Sequence, residues 1–182
     1  AESADVVVRF QGGANAGHTI INPYGRFSLH LLPSGVFNPN VTCVLGNGVA
    51  VDIGKFLAEL KSLEEAGVPK PKIYISDRAQ VMLPHHVLQD TYEEERLGKN
   101  SFGSTKSGIA PFFSDKYAKI GLQFNELYFD DILEERLKKI LEIKNAMFIN
   151  LYGKEPLDFN TVLAELKKQR EEIKPFLKDT SL

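Results

Sequence analysis

The stretch GGANAGHT, residues 12–19, follows the apolar run VVVRF at 6–10. It spells G-x-x-x-x-G-H-T, the spacing of the phosphate-cradling G-x-x-x-x-G-K-[ST] loop with a histidine in the lysine's place. In the lysine type, the following residues open a helix whose N-terminal amides face the phosphates. Here Thr19 is followed by IINPYGR. Two isoleucines and a Pro-Tyr-Gly turn do not continue a helix, so that context fails. HTII and RFSLHLL (26–32), separated by NPYG, read instead as a hairpin. The stretch is a strand end that opens into a glycine loop and then a hairpin.

Working outward, VTCVL (41–45) and KIYIS (72–76) join VVVRF as short β-branched or alternating runs of strand length. DIGKFLAELKSLEEAG (52–67) is a helix: Asp52 caps its start, and Ile53, Phe56, Leu57, Leu60 and Leu63 form one face. Gly67 and Pro69 end it. A second helix is expected over roughly 86–97. From about 129 the texture changes. Phe129, Ile132, Leu133, Leu137, Ile140, Leu141, Met147, Phe148 and Leu151 keep a helical period as far as Gly153. After KEPLD, with Asp158 as cap, Phe159, Val162, Leu163, Leu166, Ile173, Phe176 and Leu177 do the same. The expected fold is therefore α/β. Short strands with Gly-rich loops and flanking helices occupy 1–124, followed by an antiparallel helical hairpin over 125–182 in the same domain.

Composition narrows the setting. At 182 residues the chain is long enough to bury one respectable core. Its 43% hydrophobic and 25% charged content is that of a soluble globular protein. A net charge of -2 gives no electrostatic reason to expect nucleic acid or an anionic membrane as partner. Cys43 is the one cysteine, which excludes an intrachain disulfide and a cysteine zinc cluster. The histidines (18, 30, 85 and 86) lack metal-helix spacing, and no apolar run approaches a membrane span. The acidic start AESADVVV has no basic signal region, so a cytoplasmic location is expected. The abrupt ends lead us to expect a piece of something longer.

Two loops carry chemistry. In the first, Gly12, Gly13 and Gly17 let backbone amides approach a bound group, Asn15 offers a donor and acceptors, and His18 is of the residue type suited to proton transfer. The plain alternative is a glycine turn whose histidine satisfies a backbone carbonyl. In the second, FGSTKSGIAPFFSDKYAKIG (102–121) gathers hydroxyls, amides and lysines with no apolar period, then places Lys116 and Lys119 on a helical turn. Such groups hold phosphate when they converge. An ordinary surface loop has the same composition.

Taken together, RFQGGANAGHT (9–19), LHLLPSG (29–35), GNGV (46–49) and GSTKSGIAPFFSDKYAKIGL (103–122) resemble adenylosuccinate synthetase in order and spacing. The resemblance implies a ligase of AMP biosynthesis that joins IMP to aspartate at the expense of GTP, with magnesium. It implies phosphorylation of the IMP 6-oxygen by GTP, then displacement of that phosphate by the aspartate amine. By position, His18 matches the family's catalytic histidine acid, and Gly17 the glycine whose carbonyl ligates magnesium. Asn15, Ala16, Gly17 and His18 match the IMP-contacting segment, and Thr105 a threonine on the IMP phosphate. Lys119 stands where the family has an arginine reaching into the neighbouring subunit's IMP site, which implies a homodimer. The loop at 19–30 matches a mobile element that closes over the site.

This sequence departs from the pattern in several places. Lys119 keeps the arginine's charge and loses its bidentate fork. Lys106-Ser107 replaces a common Gly-Arg, and Ala110 a usual glycine. The family's opening G-D-E-G-K-G-K loop, which brings the aspartate base and cradles GTP, does not occur here, so no GTP loop is assigned. The guanine-recognition segment and the aspartate-binding arginine loop are likewise missing. The chain itself is therefore expected to be inactive. A structural or dimerisation module without ligand is the competing expectation, and an unrelated nucleotide-binding protein a third.

Overall fold

The computed structural model describes residues 4–180. A parallel sheet forms its centre, built from β1 (Val6–Gly12), β4 (Thr42–Val51), β5 (Lys72–Ser76), β6 (Gln80–Val81) and β7 (Leu177–Lys178). The order is β1-β4-β5-β7, with β6 pairing the far end of β4. An antiparallel pair, β2 (His18–Asn22) and β3 (Gly25–Leu29), stands apart as the hairpin around Pro23-Tyr24. The helices are α1 (Ile53–Glu65), α2 (Pro84–Leu97), α3 (Ile109–Tyr117), α4 (Asp130–Asn150) and α5 (Phe159–Ile173). None among the described residues is long and apolar enough to cross a membrane.

The alternation of a strand explains which side is covered. Cys43, Leu45, Ile73 and Ile75 point to one face and are buried beneath α1 and α5, where Phe56 meets Phe176 edge-on at 5.2 Å. Val6, Val8 and Phe10 point the other way and remain 53%, 54% and 69% exposed. β1 and β4 run in register until a bulge between Arg9 and Gln11, opposite the glycines of GNGV. There β4 passes so close that a Cβ at Gly48 would lie 2.2 Å from the Phe10 carbonyl oxygen. Glycine lets β4 continue to Val51, well past the expected end at 45.

Both expected caps form: Asp52 accepts from the Lys55 amide at 3.0 Å, and Asp158 from the Thr161 amide at 2.8 Å. Arg170 on α5 pairs with Asp130 at the start of α4. Asn145, late in α4, exchanges bonds of 2.9 and 2.8 Å with Leu157 just before α5. The two helices thus run in opposite senses.

Three local expectations are corrected. Phe176 and Leu177 leave the helical pattern. Pro175 has no N–H to continue the ladder, so α5 stops at Ile173 and Leu177 joins β7 beside Ile75. The stretch 102–121 is loop only in its first half, because α3 follows and buries Phe112. Lys119 lies beyond α3 at φ 60°, off the helical turn shared with Lys116.

A buried ionic cluster joins α2, α3 and α4. Asp115 accepts from His85 Nε2 at 3.1 Å and, on its other oxygen, from Lys144 Nζ at 2.6 Å; Lys144 also donates to Gln89 at 2.9 Å. His86 Nε2 lies 3.2 Å from the Asp115 oxygen that His85 uses, outside good hydrogen-bond geometry. His85, His86 and Asp115 are the one group of metal-ligand types within reach of one another among the described residues. They do not suit a cation. His86 Nδ1 accepts the Leu83 N–H at 3.0 Å, so a neutral ring carries its proton on Nε2 and has no lone pair there for a metal. The Lys144 ammonium already fills the cationic role. Burial would raise the Asp115 carboxyl, but the bonds from His85 and Lys144 and the close His86 ring outweigh it and hold it well below the usual range.

Two outcomes are expected from these contacts. Gly48→Ala should cost about 1–3 kcal/mol in urea unfolding, because the new methyl meets backbone; an unchanged midpoint would contradict the bulge packing. Burial pushes His85 down from 6.5 to about 4. Between those values the unfolded chain takes up a proton that the folded one refuses, so stability is full above pH 6.5 and falls as pH drops toward 4. His86 is shifted the same way. The Asp115 contribution is lost only below its unfolded value of 3.8, outside this window. Below pH 6.5 His85 contributes a slope of about 1.4 kcal/mol per pH unit, so on its account alone unfolding at pH 5 should require about 2 kcal/mol less than at pH 7. A flat profile would show that His85 is not held neutral.

Candidate functional site

The glycine loop is held by protein on both sides. β1 ends at Gly12 with φ 84°, a turn that suits glycine. At Gly13 a Cβ would lie 2.4 Å from Ile109 Cδ1, and at Gly17 2.7 Å from His30 Nε2. The close approaches the sequence assigned to a bound group are thus used first on neighbouring side chains.

Arg9 and Glu59 fix the segment behind this loop. The Arg9 guanidinium donates to the carbonyls of His30 (2.5 Å), Leu31 (3.1 Å) and Gly13 (2.6 Å). The Glu59 carboxylate accepts from the amides of His30 (2.6 Å), Leu31 (3.1 Å) and Leu32 (2.9 Å). RFSLHLL therefore stops being strand at Leu29, because the next amides turn to α1.

The second loop is laced to α2. Glu94 accepts from the amides of Phe102 and Gly103, each at 3.0 Å. Asp90, one turn earlier, accepts from Ser104 Oγ at 2.6 Å and the Gly108 amide at 2.8 Å. Gly108, at φ 77°, lies where a Cβ would be 2.8 Å from the α2 backbone. The sequence reading missed Asp90, Glu94, Glu59 and Arg9. The signal open to it was the i, i+4 spacing of Asp90 and Glu94 on a helix beside a hydroxyl-rich loop.

The two loops meet at a cavity of about 440 Å³. Asn15 lines it from the first loop, Thr105 and Ser107 from the second, together with His30 and Glu59. Thr105 Oγ1 and Ser107 Oγ are 2.5 Å apart and share one hydrogen, leaving the other free to donate outward. Hydroxyls, a carboxamide and an imidazole around a pocket of this size suit a small polar anion.

The remaining expected residues are distributed differently. Ala16 and Gly17 lie exposed on the loop between Asn15 and His18. His18 is exposed at the first position of β2, paired with Leu29, and faces a separate cavity of about 350 Å³ with Arg9 and Gln11. Lys119 is exposed past α3 and lines neither cavity. The structure brings Asn15 and Thr105 together. It places His18 at an adjacent opening and Lys119 elsewhere on the surface.

A family model described as adenylosuccinate synthetase matches residues 1–182. The chain is 44% identical over 181 residues to adenylosuccinate synthetase of Dehalococcoides mccartyi and 42% identical over 182 residues to that of a Thermoanaerobacter species. Each match takes in 100% of this chain and 43% of the relative. Fully ligated adenylosuccinate synthetase from Plasmodium falciparum superposes with a TM-score of 0.82 at 29% identity, covering 98% of this chain and 41% of that one. A cyanophage S-2L succinoaminodeoxyadenylate synthetase, bound to dGMP and dATP, superposes over 78% of this chain and 40% of its own with a TM-score of 0.53 at 25% identity. The chain spans less than half the length of these relatives. From its order of motifs, its fold and its matches along the whole sequence, the chain belongs to the adenylosuccinate synthetase family.

Proposed function

We propose that this chain carries the IMP-binding part of a cytoplasmic, GTP-dependent adenylosuccinate synthetase and lacks the groups to turn over alone. The observation that carries the reading is the convergence of Asn15 and Thr105, from loops far apart in the chain, on one cavity. In the whole enzyme GTP would phosphorylate the IMP 6-oxygen. The aspartate amine would then form the C–N bond as inorganic phosphate leaves.

The chain's own residues bind and orient. Asn15, Ala16, Gly17 and His18 line the IMP contact, Thr105 donates to the IMP phosphate, and the His18 imidazole donates toward the phosphoryl group being transferred. The Gly17 carbonyl suits magnesium, a hard cation that takes oxygen ligands and is commonly shared between few protein groups and phosphates. Magnesium would supply charge neutralisation between the phosphates. Lys119 is proposed to reach the IMP site of a second copy. Its exposure supports this, as does that of Tyr117 (78% exposed), two residues earlier in the chain. Phosphoryl transfer depends on positioning and charge cancellation, and GTP has no glycine-rich lysine loop here to hold it. The chain alone should give no adenylosuccinate from GTP, IMP and aspartate.

In a complete synthetase of this sequence, His18→Ala should lower kcat by about 10²–10⁴-fold while IMP still binds, because the contact strengthens in the transition state. A rise in KM at unchanged kcat would make His18 a binding residue instead. Lys119→Ala should weaken IMP binding, and mixing it with subunits inactivated at His18 should restore part of the activity through hybrid sites. Mixed dimers as inactive as either parent would sink the shared-site reading.

A further inference from the structure

Two lysines at the Asn15–Thr105 cavity occupy positions that local physics disfavours. Lys106 is a non-glycine residue in the left-handed region, at φ 54°. Such a backbone persists where its surroundings or its function impose it. Its ammonium makes no hydrogen bond or salt bridge among the described residues and feels Glu95 only at longer range. Lys55 sits in the first turn of α1, at the positive end of the helix dipole, where a cation is repelled. Its one ion pair is a 3.8 Å contact with the capping Asp52, the kind of exposed pair that contributes little. Places where a sequence breaks a local rule without compensation are where function is expected.

Both lysines line the cavity of about 440 Å³. The anion in that lining, Glu59, is turned away from them in effect, since both its oxygens accept backbone amides of residues 30–32. The cavity therefore holds one cation without an ion pair among the described residues, Lys106, and a second, Lys55, whose counter-charge is the loose contact with Asp52.

We propose that Lys55 and Lys106 are substrate-binding residues that supply the positive charge for a phosphate monoester in this cavity. The proposal rests on the nucleotide reading above and assigns two residues that it did not use. A phosphate monoester carries close to two negative charges at pH 7, which two ammonium groups match. Lysine acts here as a point charge and needs no planar fork to pair with phosphate. The Thr105–Ser107 hydroxyl hydrogen and the Asn15 carboxamide would donate to the remaining oxygens.

The test is titration of the intact chain with IMP, inosine and inorganic phosphate, followed by amide NMR, for wild type, Lys55→Ala and Lys106→Gly. IMP and phosphate should compete for one site at the cavity, and inosine should not displace phosphate. Each variant should weaken IMP by about tenfold or more, the loss expected for one charge-assisted bond. Lys106→Gly should at the same time raise the melting temperature, because glycine accepts the left-handed backbone without strain. A purely structural lysine would not move stability and affinity in opposite directions. Wild-type IMP affinity in both variants would overturn the lysine assignment and leave the nucleotide reading standing. Failure of the wild-type chain to bind either IMP or phosphate at millimolar concentration would overturn both.

Discussion

Arg9 on β1 and Glu59 on α1 both grip the backbone of His30 and Leu31, one through carbonyls and the other through amides, and the geometry of the site follows from that grip. At residues 30–32 the chain has left β3 and not yet reached the next element, yet Leu31 and Leu32 are fully buried. Buried backbone groups without partners are costly, so something must satisfy these carbonyls and amides. Arg9 takes carbonyls and Glu59 takes amides. Because Arg9 also holds the Gly13 carbonyl, the end of β1, the exit of the hairpin and the middle of α1 become one network. The His30 ring is thereby set against Gly17, and Asn15 is carried between two fixed points. Glu59 further draws on Arg9 electrostatically: burial pulls the guanidinium below its ordinary pKa, and the carboxylate opposes that pull.

The same device recurs on α2. Asp90 and Glu94 turn inward and spend their charge on the amides and a hydroxyl of residues 102–108, and so position Thr105. Asp115 then ties α2 to α3 and α4 through His85 and Lys144. Carboxylates around this site therefore act as backbone anchors. Their negative charge is stabilised by amide dipoles within hydrogen-bond distance, which leaves the lysine ammonium groups to set the sign presented to a ligand.

Much of the fold was legible in the residues, because its elements carry strong local signals. VVVRF, KIYIS, the hairpin at NPYG and the helices after Asp52 and Asp158 were read from period, turn chemistry and caps. The two-residue strands β6 and β7 carry no such period. At β7 the spacing of Ile173, Phe176 and Leu177 imitates a helix that Pro175 forbids. The site was legible as strings, and Asn15 and Thr105 were named from them. Their sharing of a cavity separate from the opening at His18 depends on tertiary placement that no spacing encodes. Glu59, Asp90 and Glu94 look like solvated helix charges in sequence. Only the loops folded over them reveal their partners.

The glycines of the opening stretch carry a different lesson. Read alone, Gly12, Gly13 and Gly17 argue for a ligand lying against bare backbone. In the fold, Gly13 makes room for Ile109, the first residue of α3, and Gly17 makes room for His30. Packing alone accounts for their lack of side chains. Yet Ile109 follows directly on the loop that carries Thr105, Lys106 and Ser107, so the contact at Gly13 draws that loop toward Asn15. A larger residue at Gly13 would push the second loop away and open the cavity without touching any group that lines it. The glycines serve the site by close packing of protein against protein, and the chemistry falls to the side chains that this packing brings together.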